Sequence, residues 1–485
     1  MRAIIPAVLI ILSGLFTTVP LPAQNGGAGA FVQPVPGTPR PMGIDPSQAQ
    51  GQFLGGVTQG LATTDELSLS LDDAIARGLK NNLGTLVGDQ DRRRSEAARL
   101  RTLADLLPNL SARAQASEQQ INLAAFGFSN FPGIASIVGP FGIVDLRGYL
   151  TQRVLDFRTI RATQASGQIV KASEQNYQNS RDTVALVVGG LYLQTLAGES
   201  RVKSQRTQVE TAEAVYRQAV DYKQSGLIPA IDVLRAQVEL EAGRQRLASA
   251  ENDFEKMKLS LAQAIGLPLA QQFRLTDGLS PESAPAVTLE QALDKAYDNR
   301  SDYRSLQSLV KAAEFARRSA VAERYPTVAA SFDYGTIGQS VTQNHGTFSA
   351  VIGVNIPIYE GGRTEAKVTE ADAVLKQREA ERDALRSRIE FEVRTVFLDL
   401  KSTLDQVKLA GNAKSLAESQ MLQARDRFAA GVATSLEVVQ AQQALAVASD
   451  NYISSLFNYN LAKGSLARTA GQAEQLFRLF VLGGK

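Results

Sequence analysis

The chain has 485 residues, with 51 Lys and Arg against 49 Asp and Glu and a formal net charge of +2. That balance gives no support for nucleic-acid binding by bulk electrostatics. With no cysteine and one histidine, the chain has no disulfides, thiol chemistry, lipidated cysteine, Cys-ligated metal or His-based metal cluster.

Met1-Arg2 gives a positive start, Ala3 to Phe16 is apolar, and Leu21-Pro22-Ala23 offers a small residue for cleavage. Residues 1–23 read as a secretory signal peptide, with an uncleaved anchor as the alternative. No later stretch is long and apolar enough for a membrane-spanning helix. An exported chain of this kind meets a membrane as a β-barrel or at the surface. Residues 24–68 are rich in Gly, Pro and Gln and read as a disordered or extended segment.

The rest is an internal repeat. Leu71-Asp72-Asp73-Ala74-Ile75 returns as Leu289-Glu290-Gln291-Ala292-Leu293, and the same offset of 218 pairs Arg99 with Arg317 and Pro108 with Pro326. Farther on the offset is 205. It pairs Arg158 with Arg363, Gly226 with Gly431, Val233 with Val438, Gln237 with Gln442 and Gly266 with Gly471. The spacing predicts a first repeat over 69–268, a linker over 269–288, a second repeat over 289–473 and a tail over 474–485.

Each half begins with a helix, about 71–106 or 289–324, stopped by Pro108 or Pro326. A period-two segment follows. Phe348, Ala350, Ile352 and Val354 alternate with small or polar residues, as do Val144, Leu146, Leu150 and Val154. This predicts β-hairpins with strands near 110–121 and 143–155, and near 328–336 and 347–358. The longer first-hairpin loop holds Phe126, Phe128, Phe131 and Phe141, which suit an interfacial girdle or a loop packed on itself. His345 reads as an exposed residue of the second hairpin loop.

Next come helices from Arg158 to Ser225 and from Arg363 to Ala430, each long enough to reach about 100 Å if continuous. After Gly226 the chain returns with Val233, Ala236, Leu240, Gly243, Leu247, Ala250 and Phe254 at alternating spacings of three and four. The second half repeats the seam at Val438, Ala441, Leu445, Ala448, Tyr452, Ser455 and Tyr459. Each half thus ends in a coiled-coil pair meeting at a glycine turn.

Four strands cannot close a barrel, and open edges cannot face lipid. Several chains must pool their strands, and three chains would supply twelve. A soluble coiled coil with surface hairpins, acting as an envelope tether, is the alternative on pattern alone.

Two motifs carry a family resemblance. One is Tyr222-Lys223-Gln224-Ser225-Gly226 with Ile231-Asp232-Val233-Leu234-Arg235-Ala236-Gln237. The other is Arg427-Phe428-Ala429-Ala430-Gly431 with Leu436-Glu437-Val438-Val439-Gln440-Ala441-Gln442. With the strand exit Ile358-Tyr359-Glu360-Gly361-Gly362-Arg363, they resemble the outer membrane efflux protein family, the TolC-like channels, over about 69–473.

The resemblance implies an α+β membrane protein: a homotrimeric outer-membrane β-barrel of twelve strands, continued by a long periplasmic α-helical coiled-coil barrel. It implies a passive exit duct for drugs, other toxic small molecules or proteins, in contact with outer-membrane lipid. Its partners would be a periplasmic adaptor (membrane fusion) protein and an inner-membrane RND or ABC transporter, with no nucleic acid and no cofactor. It makes Gly226, Leu227, Ile228, Gly431, Val432 and Ala433 the adaptor-docking tips, and places Asp232, Glu437 and Gln440 at the periplasmic aperture. Three copies of Asp232 and Glu437 near an axis would favour cations. Gln440 stands where some members have a second acid, Ala433 where they have a basic gate residue, and Lys223 where they have an aromatic.

The glycines also suit helix C-termini, the two acids suit first helical turns, Thr434 and Glu437 suit a capping box, and Pro229 suits a helix start. No Walker A, H-E-x-x-H or G-x-G-x-x-G after a strand is present. The expectation is a chain with no catalytic residues, no metal site and no enzyme activity.

Overall fold

The computed structural model describes residues 51–127, 133, 135–279, 281–282 and 287–482. The signal segment 1–23, residues 24–50, Phe128 and Phe131 lie outside the described residues.

Residues 51–66 form a strap along the elements that follow. Its Gly56 bridges to Asn82, and Val57 N donates to Asn81 O at 2.8 Å. A short strand β1 (Leu67–Leu69) leads into α1 (Leu71–Asn81) and α2 (Leu83–Ala104). Ser70 and Asp73 close a capping box on α1. The single helix expected over about 71–106 is therefore two. Asn82 breaks it with an extended backbone, caps Gly84 N at 2.9 Å, and donates to Phe53 O and Ala264 O. A residue with that much local hydrogen bonding competes with the helix ladder.

Strand β2 (Asn109–Asn122) turns through a 3-10 segment (Leu123–Phe126) into β3 (Ile137–Leu155). β3 starts earlier than the alternation suggests. Pro140 interrupts the pattern but falls next to the pairing irregularity opposite Gln119 and Ile121, where a missing N–H is tolerated. Helix α3 (Phe157–Gln224) follows, then α4 (Ala230–Ile265) and β4 (Phe273–Leu275). β4 lies inside the stretch read as linker and pairs in parallel with β1.

The second half has α5 (Leu289–Asn299), α6 (Ser301–Ala322), β5 (Thr327–Gly338), β6 (Asn344–Asn355), α7 (Arg363–Ala429) and α8 (Ser435–Thr469). Thr288 and Gln291 repeat the capping box, and Arg300 repeats the extended break of Asn82. His345 belongs to β6 rather than to a loop, and pairs with Ile337. The stretch read as a tail is largely α9 (Ala473–Leu482). Its polar start hid a buried face formed by Ala473, Phe477 and Val481.

β2, β3, β5 and β6 form one antiparallel sheet in that order. Helices α2, α3, α6 and α7 neighbour one another in the matching order. The largest apolar core joins α1, the middle of α3, the end of α4, both short strands and α9. There Phe477 is fully buried, and a Cβ at Gly189 on α3 or Gly464 on α8 would overlap its ring. Two glycines on different helices thus open the slot that one aromatic fills.

Beside this core runs an ionic network. Arg300 donates to Asp302 at 2.7 Å and Glu392 at 2.6 Å, and Arg181 pairs with Glu474. Asp182 accepts from Glu474 N at 3.1 Å, receiving the N-terminus of α9. Burial raises the Asp182 carboxyl. Burial alone would raise Asp302 too, but hydrogen bonds from Arg300 hold it below the usual range.

Lys463 is fully buried under α9, and its Nζ donates to Val481 O at 2.9 Å and Glu282 O at 3.2 Å. Burial pushes its ammonium down to about 8. Between about pH 8 and 10.5 the unfolded chain holds the proton that folded Lys463 has lost, so this residue makes stability rise with pH across that window. Below it both states are charged; above it neither is. Comparing melting temperatures of wild type and Lys463→Met from pH 7 to pH 10.5 is expected to show this extra rise in wild type alone. Parallel curves would refute it.

Candidate functional site

The far ends of the long helices are built by two matching turns. α3 stops at Gly226 (φ 71) and α7 at Gly431 (φ 73). Gly226 N donates to Lys223 O at 3.0 Å and Leu227 N to Tyr222 O at 2.8 Å. Gly431 N donates to Phe428 O at 3.0 Å and Val432 N to Arg427 O at 3.0 Å. Both are Schellman closures, with glycine in the left-handed conformation that other residues reach only with strain. No atom crowds either position, so backbone conformation rather than space calls for glycine.

Leu227 and Val432 project from these turns, 69% and 67% exposed. Ile228 and Ala433 are half-buried, and Ile228 packs on the small core beneath the tips. That core joins Val215, Ala219, Val233 and Ala236 of the first half to Met421, Ala424, Phe428, Val438 and Ala441 of the second. Tyr222, absent from the expected site, fastens the two turns. Its ring lies 5.7 Å from that of Phe428, and its hydroxyl donates to Ala429 O at 2.8 Å. Its sequence signal was an aromatic one residue away from where the motif repeats.

The three aperture residues behave differently. Asp232 is buried; it accepts from Ser435 Oγ at 2.9 Å and from Arg235 Nη1 at 3.1 Å. It therefore bonds the first half to the second. Glu437 pairs with Arg427 at 3.1 Å across its own turn, and Gln440 is exposed. Thr434 is the N-cap of α8 but makes no side-chain cap, so the expected capping box is absent; Glu437 is drawn to Arg427 instead. Pro229 sits at the N-cap of α4, at the start of that helix. Ser435 carried no motif, and Arg427, which opens the second motif, was given no role at the aperture.

The four-stranded sheet is two-faced. In register, Leu110, Leu146, Leu150, Val154, Phe332, Tyr334, Phe348, Ile352 and Val354 fall on one face and are exposed. The opposite face carries Arg113, Asp145, Arg147, Tyr149, Thr151, Asp333, His345, Thr347 and Ser349. Arg147 lies over Gly335 and reaches both hairpins. It bonds Asp333, Asp145 at 3.3 Å and Thr347 Oγ1 at 2.9 Å. An exposed apolar band backed by a charged face is the pattern of a wall between lipid and water. Within the described residues β2 and β6 each keep one unpaired edge.

Among the described residues no cluster of acids and histidine is placed to hold a metal, and no helix is long and apolar enough to cross a membrane.

Residues 292–472 match the family model described as outer membrane efflux protein. A curated relative, the pyoverdine export outer membrane protein OpmQ of Pseudomonas aeruginosa, is 26% identical over 399 residues, covering 78% of this chain and 80% of its own. The Campylobacter jejuni CmeC outer membrane channel has the same fold, with a TM-score of 0.72 at 16% identity over 90% of this chain and 93% of its own. The outer membrane protein VceC of Vibrio cholerae gives 0.70 at 16% identity over 83% and 96%. The second half of the chain thus matches the outer membrane efflux protein model, and most of its length shares the fold of these outer-membrane channels.

Proposed function

We propose that this chain is the outer-membrane exit duct of a tripartite efflux or type I secretion system. It resides in the outer membrane with its helical part in the periplasm. Three copies pool their sheets into a twelve-stranded barrel, the apolar face toward lipid and the Arg147 face toward the lumen. The two halves are a duplicated unit, each giving one hairpin to the barrel and one helical pair to the tube. The duct is passive and performs no chemistry; a periplasmic adaptor and an inner-membrane RND or ABC transporter supply cargo and energy. OpmQ, named for pyoverdine export, supports a small-molecule cargo.

The observation that carries this reading is the two-faced sheet with both edges open, joined to helices of 68 and 67 residues. Solvent-facing Leu227 and Val432 support the tips as the adaptor's docking points. In the cysteine-free background, Cys at Ser225 or Ala430 is expected to crosslink an adaptor in living cells, while a site midway along α7 does not. An adaptor bringing a proton-driven pump means small-molecule efflux, and one bringing an ATP-driven exporter means peptide or protein secretion. Silence at both tips contradicts docking there.

Asp232, Glu437 and Gln440 stand near the closed aperture, where the Asp232–Ser435 bond ties the two hairpins together. Replacing both acids with alanine is expected to lower cation preference in salt-gradient bilayer recordings. An unchanged reversal potential would overturn that role.

A further inference from the structure

α3 and α6 approach closely above the main core. Ser305 Oγ donates to Ala172 O at 3.0 Å, and Ala165, Ala172, Ala312 and Ala313 are buried along the seam. Beside the seam lies a cavity of about 400 Å³, lined by Lys171, Glu174 and Gln175 from α3 and by Arg304, Gln307 and Lys311 from α6.

Its charge is unbalanced. Three cations meet one acid, and the Glu174 carboxylate lies 3.7 Å from Arg92 of α2. Among the described residues none of Lys171, Arg304 and Lys311 is in an ion pair. Three like charges around one cavity repel one another unless an anion joins them. The closely packed seam fixes the backbones that carry them, so little ordering is needed on binding.

The position narrows the ligand. Lys171 precedes Asp182 by about three turns, so it shares the side of α3 that receives α9. It lies about 21 Å along α3 from the helix start, beyond reach of a lipid headgroup at the sheet. We propose that this groove binds a small soluble polyanion carrying two or more carboxylate or phosphate groups. The amides of Gln175 and Gln307 supply further donors at its rim.

The test is calorimetric titration of the full-length protein in detergent with sodium pyrophosphate and, separately, sodium citrate, at about 20 mM NaCl where screening is weak. Saturable binding at one site per chain is expected, weakening as salt rises. Lys171→Gln/Lys311→Gln changes two exposed side chains and is expected to weaken binding at least about tenfold. Glu174→Gln is expected to tighten it, while Lys408→Gln, on α7 and outside the groove lining, leaves it unchanged. Binding of pyrophosphate alone, citrate alone or both upholds the site and tells phosphate from carboxylate. Saturation by neither anion, or equal affinity in wild type and the double variant, overturns it.

Discussion

Phe477→Ala is expected to destabilise the folded chain by about 3–5 kcal/mol, the range for emptying a buried aromatic site. The ring is completely enclosed and occupies the slot between Gly189 and Gly464. That slot is where α3, α8 and α9 meet, and backbones of long helices cannot collapse into it. The measurement is the thermal transition of the detergent-solubilised protein by circular dichroism. The pairing is checked by a cycle. Gly189→Ala alone forces its methyl into the ring, whereas in a Phe477→Leu background the same change is expected to cost much less. Additive costs would show that the ring does not depend on the glycine.

Arg300→Met is the second large effect, at about 3–5 kcal/mol, because it leaves charged partners uncompensated in a buried setting. Arg300 is buried and satisfies both Asp302 and Glu392. Lysine is a poor substitute, since one ammonium cannot reproduce the two-sided fork. The pH response should reverse. In wild type the lowered Asp302 carboxyl contributes stability that is lost as pH falls through its folded value. In Arg300→Met Glu392 keeps Arg388, but Asp302 loses the hydrogen bonds that offset its burial and resists ionisation, so stability recovers as pH falls through the acidic range. A variant that melts at the wild-type temperature at neutral pH would contradict the network's role.

The long elements were legible because their signals are periodic. The three-and-four spacing from Val233 to Leu240 marks buried positions of α4, and the alternation through Phe348 and Val354 marks the exposed apolar side of β6. What escaped was set by contacts distant in sequence. Asn82 looks like an ordinary helical residue until Phe53 and Ala264 present their carbonyls to it. Phe477 sits in a stretch too short to declare a buried helix; its partners are glycines 288 and 13 residues away. At the tips the glycines announced themselves through φ, whereas Asp232 did not. Its bond to Ser435, 203 residues on, leaves no signal in the local sequence.

Whether the chain conducts is the central matter. The full-length protein, purified from outer membranes and reconstituted in a planar lipid bilayer, is expected to open discrete ion-conducting steps. Oligomers that insert yet stay silent, with the tips intact or with Asp232 and Glu437 replaced, would contradict the channel and leave a tether.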